Sequence, residues 1–151
     1  MQRDWRYAAA IAVLTIVACV RVASTHRVFS EVLDEPAHIA AGFQWFYGEY
    51  WLDSSHPPLA RILGALPLRL AGFPRPEGSD MVTQGNNLLY YGGRYEKTLA
   101  RTRIAMLPLL IAAIIATAAL ARRAFSHPVA IAAVALLTTL PPVLGHAGVV
   151  T

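Results

Sequence analysis

Three long apolar runs constrain this chain more than any other feature. Tyr7 to Val20, Ile104 to Leu120 and Val129 to Leu140 are built almost wholly from Ala, Leu, Ile and Val. A chain of 151 residues has too little interior to bury three such runs. A bilayer accepts them, provided each is a helix that satisfies its own backbone donors and acceptors. The balance of 56% hydrophobic to 15% charged residues excludes an ordinary soluble domain. The expected class is therefore all-α, a multi-pass membrane protein.

With Val22 and Ala23 added, and Arg21 snorkelling towards headgroups, the first run reaches the roughly 17 to 25 residues a spanning helix needs. Its basic start also fits a signal peptide, but Arg21 spoils the cleavage region before Ser24, so an uncleaved span is expected. The spans are placed at about 7–23, 104–121 and 128–142, with an outer loop at about 24–103. Arg122-Arg123 lies in a short loop, which the positive-inside rule assigns to the cytoplasm, together with the N-terminus. Arg101 and Arg103 oppose that orientation, but they belong to a long loop, where the rule is weak. An integral protein of the bacterial inner membrane is expected.

The formal charge of +4 is spread over arginines at the ends of the apolar runs. That arrangement suits lipid headgroups or a phosphate ligand and disfavours a nucleic-acid partner. Cys19 is the only cysteine, so an intrachain disulfide and a Cys-based metal site are both excluded.

The polar chemistry is concentrated between Asp34 and Leu70. Pro36 to about Tyr50 reads as a helix with Asp34, His38, Ala41, Gly42 and Trp45 on one face and Ile39, Phe43 and Phe46 on another. After a cap at Ser54-Ser55, Leu59, Ile62, Leu63, Leu66 and Leu70 form the stripe of a helix lying in the membrane interface, flanked by Arg61 and Arg69. Pro67 is expected to kink it. Phe73 to Tyr95, with Gly78, Gly85, Gly92, Gly93 and Asn86-Asn87, reads as a polar surface loop with little periodicity.

Each candidate site residue has a plain structural alternative. Asp34 and Glu35 are placed to accept and orient an acceptor proton at a membrane surface; equally, Asp34 caps a helix whose first turn holds Glu35 and Pro36. Glu35-x-x-His38 has the spacing of a bundle metal-ligand pair, which His56 and His146 could join, and this leaves room for a divalent metal. No HExxH motif supports a zinc protease. His56 before Pro57-Pro58 is either held rigidly beside the acids or simply part of a turn. Arg101 and Arg103 offer guanidinium forks for a phosphate, or anchor a span at the interface. Trp45, Phe46, Tyr47, Tyr50 and Trp51 form a sugar-stacking surface or an aromatic belt.

Taken in order, Asp34-Glu35-Pro36-Ala37-His38, Gly42, Gly48-Glu49-Tyr50, His56-Pro57-Pro58-Leu59, Ala100-Arg101 and Leu140-Pro141-Pro142 to His146-Ala147 resemble the start of GT-C membrane glycosyltransferases. The nearest likeness is to glycosyltransferase family 39, the protein O-mannosyltransferase and aminoarabinose transferase group. The resemblance implies transfer of a sugar from a polyprenyl-phosphate carrier to a protein or lipid-glycan acceptor on the outer side. It implies Asp34 as general base with Glu35 as its orienting neighbour, and His38, His56, Arg101, Arg103 and His146 as substrate-binding residues. It implies that residues 1–151 are the N-terminal portion of one GT-C-like domain with further spans. A glycosyl phosphate carries its own leaving group, so no nucleotide-binding loop is required; no cofactor is assigned, and a divalent metal stays open. The rival expectation is a non-enzymatic membrane module, a transporter fragment or an assembly subunit. A transporter would place acids inside broken spans, whereas Asp34 and Glu35 lie outside the apolar runs. Proximity of Asp34 to Arg103 would favour the enzyme.

Overall fold

The computed structural model describes residues 2–50 and 55–150, the side chains of residues 2–4 excepted. Within them the chain is helical without strands: α1 (Gln2–Thr25), α2 (Glu35–Gln44), α3 (Pro58–Leu70), α4 (Met81–Leu89), α5 (Tyr95–Ile104), α6 (Leu107–Ala124), α7 (His127–Leu137) and α8 (Pro141–Ala147). Short 3-10 turns follow α2 and α4. Two stretches, Trp5–Thr25 and Tyr95–Ala124, are long and apolar enough to cross a membrane. A third exists if α7 and α8, bent by 66° where Pro141-Pro142 restart the helix, form one broken span.

The long helices pack along a seam of Ala18, Val22, Leu110, Ile114, Ala118 and Val134, with Ala130 also buried. Small residues let backbones approach closely where lipid supplies no hydrophobic drive between helices. Val13, Ile16, Val20, Ile115, Leu120 and Leu136 point outward, and only 11% of the first span's window is buried. Such surfaces suit hydrocarbon rather than water. At one end the Tyr7 hydroxyl donates to the Ala118 carbonyl at 3.2 Å, while its ring meets His127 and lies under Arg122. The N-terminal part of α1 and the Arg122-Arg123 turn therefore share one end of the molecule.

At the opposite end, α2 to α5 form a helical cap with its own core of Ile39, Phe43, Ala65, Leu68, Leu88, Leu89, Leu99 and Met106. α2 is its centre, buried from Glu35 to Gln44 except for half-buried Ala37. Two glycines make that burial possible. A Cβ on Gly42 would collide with the Arg61 backbone of α3, and one on Gly85 of α4 would collide with the Pro36 backbone of α2. Between them a buried amide pair, Gln44 Nε2 donating to Gln84 Oε1 at 2.5 Å, links α2 to α4.

Three expectations are corrected here. The stretch expected as a shapeless loop contains α4, started by Asp80, whose side chain accepts from the Thr83 amide at 2.9 Å. α3 begins at Pro58 with Pro57 in the cap position, so Ser55 is not its cap, and Ser54 lies outside the described residues. Arg61 does not flank the leucine stripe: it is fully buried with Gly64, Ala65 and Leu68, while Leu59 and Leu70 face outward. The outward stripe keeps the amphipathic character expected of an interfacial helix, and Pro67 is accommodated inside α3.

The glycine contacts set a stability contrast. Gly42→Ala and Gly85→Ala should each destabilise the protein by about 1–3 kcal/mol or more through overpacking. Gly145→Ala, whose Cβ would meet nothing within 4 Å, should be close to neutral. Thermal unfolding of the three variants in detergent checks this, and equal midpoints for all three would contradict the packing of α2.

Candidate functional site

The start of α2 places two neighbouring carboxylates in opposite environments. Glu35 is fully buried and meets Arg103, itself 2% exposed, through a bidentate pair. Arg103 Nε donates to Oε1 at 2.9 Å and Nη2 to Oε2 at 2.6 Å. Two further donors are also used: Nη1 reaches the Phe29 carbonyl at 2.8 Å and Nη2 the Ser30 carbonyl at 2.9 Å. Glu35 also accepts the Val150 amide at 3.1 Å and the Val32 amide at 3.3 Å. Such saturation is what permits two charges to remain buried. Glu35 is a positioning residue in this arrangement, its lone pairs committed to holding four segments together.

Asp34 is the opposite case. It occupies the N-cap position of α2 but makes no side-chain cap bond, and its side chain is 64% exposed. Its backbone conformation explains this. With φ −99° and ψ −11° the residue is already near-helical, whereas a capping side chain needs an extended backbone to reach back to the first amides. The Oδ2 atom instead stands 3.5 Å from His38 Nε2, one helical turn on. The His38 ring in turn meets the His56 ring edge-to-face, with centroids 5.3 Å apart. Asp34, His38 and His56 thus form one group at the edge of the cap.

The other expected members lie elsewhere. Asp34 makes no ion pair with Arg103, which belongs to Glu35. Arg101 is exposed on the opposite side of α5, because residues two apart on a helix stand about 200° apart. His146 is exposed on α8 without a hydrogen bond or ring contact to the group. Among the aromatics, Trp45 and Tyr50 pack at 4.4 Å and Tyr47 lies beneath Arg69 and Arg75, while Trp51 lies outside the described residues. Arg75 also pairs with Glu49. No group of three or more His, Cys, Asp or Glu is set to hold a metal among the described residues, and Glu35 in particular faces Arg103 rather than joining His38 as a ligand.

Two features were missed by sequence reasoning. A cavity of about 420 Å³ opens between the end of α1, the 29–32 segment and α8. Arg21, Thr25, Arg103 and Thr139 give it a polar portion, and Val22, Phe29, Val32 and Leu144 an apolar one. Val32, in its wall, is two residues from Asp34. The second is His26, 2% exposed with neither ring nitrogen hydrogen-bonded. Its pKa is lowered, first by burial and then by the Arg103 charge, against a smaller opposing pull from Glu35. Its place directly after Thr25, at the end of an apolar run, was the only signal. Comparison with family models, with curated proteins and with solved structures found no match.

Two outcomes follow from this geometry. Glu35→Ala should cost about 3–5 kcal/mol, because it strands the Arg103 charge, and Arg103→Lys should not preserve the site, because one ammonium cannot replace the bidentate fork. Glu35→Ala/Arg103→Met should recover part of the loss, measured by denaturant unfolding. For His26, the unfolded chain takes up a proton near the ordinary value of about 6.5, whereas the folded chain does so only at lower pH. Stability should therefore be complete above that value and fall as the pH drops below it towards the lowered folded value. His26→Leu should flatten that slope.

Proposed function

We propose that this chain is the N-terminal portion of a GT-C-type glycosyltransferase that moves a sugar from a polyprenyl-phosphate carrier to a protein or lipid-glycan acceptor. The observation that carries this reading is the exposed carboxylate of Asp34, which makes no cap bond. An aspartate at a helix start ordinarily spends its oxygens on the first amides, and this one does not. It is exposed, next to His38 and His56, and held in place by the buried Glu35–Arg103 pair. That is the arrangement a general base needs: a solvent-reachable oxygen on a rigid support.

The neighbouring cavity supports the same reading. A polyprenyl phosphate has an anionic head and an apolar tail, and the cavity walls combine Arg21 and Arg103 with Val22, Phe29, Val32 and Leu144. Arg103 is already neutralised by Glu35, which leaves Arg21 as the cation facing a phosphate. Its Nη1 contact with the Thr138 carbonyl is long, at 3.5 Å. Asp34 would take the acceptor hydroxyl proton as the oxygen attacks the anomeric carbon, and the carrier phosphate would leave with the bonding pair. The basic end formed by Arg6, Arg122 and Arg123 would face the cytoplasm of a bacterial inner membrane, and the cap the outer side.

One observation favours the non-enzymatic reading instead. Glu35 and Arg103 satisfy each other so fully that the strongest polar feature of the cap is explained by packing alone. Asp34 separates the two readings. Asp34→Asn should leave unfolding within about 0.5 kcal/mol of wild type, since no cap bond is lost. It should reduce transfer by about 10²–10⁴-fold. The assay follows labelled sugar from a polyprenyl-phosphate donor in membranes carrying the chain with whatever its reading frame encodes beyond Thr151. Unchanged transfer would remove Asp34 from the mechanism, and absence of transfer in the wild type would leave the structural reading.

A further inference from the structure

α5 carries a second basic surface, on the side facing away from Glu35. Arg94 precedes the helix, and Lys97, Thr98 and Arg101 follow at spacings that keep all four on one face. With Ala71, Phe73, Tyr91 and Gly92 they line a cavity of about 270 Å³. No acidic residue lies in its wall. Neither Arg94, Lys97 nor Arg101 makes a side-chain hydrogen bond or ion pair within the described residues, in contrast to Arg75 and Arg103, which have carboxylate partners. Three like charges converging on one concave wall repel one another, and an anion in the cavity relieves that repulsion.

The dimensions and surroundings of the cavity narrow the choice of anion. A nucleic-acid backbone needs a long basic track, and this cavity is a single short recess. Phe73 and Tyr91 pack against each other at 5.2 Å and close one side with aromatic faces. Leu70, 79% exposed, adjoins the wall at Ala71, and Tyr90 and Tyr91 are also exposed beside it. α5 continues into α6 within the stretch Tyr95–Ala124, so Arg101 stands about 9 Å, six residues at 1.5 Å each, before the start of the apolar α6. That is headgroup depth if α6 spans the bilayer.

We propose that Arg94, Lys97 and Arg101 form a phosphate-binding recess, distinct from the Asp34 group, that takes a phosphate ester at the membrane surface. The inference does not depend on Asp34 acting as a base. Arginines provide the fork for two phosphate oxygens and Lys97 a point charge between them. Leu70 and the tyrosines give an attached acyl chain or glycerol backbone an apolar edge to lie against. A lipid headgroup and a free phosphate share this chemistry and differ only in whether that edge is used.

The test uses the intact protein in phosphatidylcholine nanodiscs, with phosphatidylglycerol added in one arm and inorganic phosphate in the other. Binding is read as the rise in unfolding temperature and, for lipid, as phosphatidylglycerol retained in native mass spectrometry. Arg94→Gln, Lys97→Gln and Arg101→Gln, all at exposed positions, should each weaken the response roughly fivefold. Arg122→Gln/Arg123→Gln, at the other end of the molecule, should leave it unchanged. Loss of the phosphatidylglycerol response alone identifies a lipid headgroup as the ligand. Loss of the inorganic phosphate response as well identifies a site for phosphate without its tail. Responses equal in wild type and in all three single variants overturn the proposal, as does an equal loss in the Arg122/Arg123 control, which would reflect generic surface charge.

Discussion

A buried ion pair ties the cap to the long helices. Taking a carboxylate and a guanidinium out of water costs several kcal/mol per ion, and Glu35 and Arg103 offset that only because their bonding capacity is used. The groups that satisfy them come from far apart in the chain: Phe29, Ser30 and Val32 before α2, Arg103 at the end of α5, and Val150 beyond α8. The pair therefore fixes α2 against the helix that continues into α6. It also fixes the direction in which Asp34 emerges, because Asp34 is joined directly to the residue most tightly held.

Adjacent acids given opposite surroundings are a recurrent way to obtain two roles from similar groups. Here the separation is made by the backbone. Glu35 turns inward as the first residue of α2, and Asp34, just before it, turns outward. The same logic divides Arg101 from Arg103 across α5, one reaching an open recess and the other the core. In each pair the spacing in sequence is one or two residues, and the difference in environment is nearly complete.

That division explains what the sequence conveyed and what it withheld. The apolar runs announced the long helices, because a helix needing lipid on most sides is written locally in composition. The start of α2 was legible from Asp34, Glu35 and Pro36 for the same reason. Which acid would be buried was not, since that depends on an arginine 68 residues away. α4 was hidden because its centre is Gln84, Gly85, Asn86 and Asn87, a poor helix by propensity. Gly85 is there because α2 passes too close for any side chain, so the residue that weakens the helix locally is the one tertiary packing requires. Arg61 was misplaced by a related error: the leucines of α3 form a stripe, yet the stripe faces outward and the arginine faces the core. In a membrane-facing helix the most apolar face need not be the buried one.

The capping position of α2 completes the argument. A side-chain cap at a helix start stabilises by about 1 kcal/mol, and an aspartate is among the residues best suited to make one. Asp34 does not, and its near-helical backbone angles keep the side chain from the first amides. Those angles are imposed by the neighbouring residue: Glu35 accepts the Val32 amide and its own amide bonds to the Val32 carbonyl at 3.1 Å, which closes a turn around Asp34 and carries it into the helical region early. The buried ion pair thus does more than hold the cap in place. The same Glu35 closes the turn before α2, and the Asp34 carboxylate stands beside His38 rather than on the first amides of the helix. Where a local preference is overruled by a long-range contact in this way, the group set free is the first place to look for chemistry.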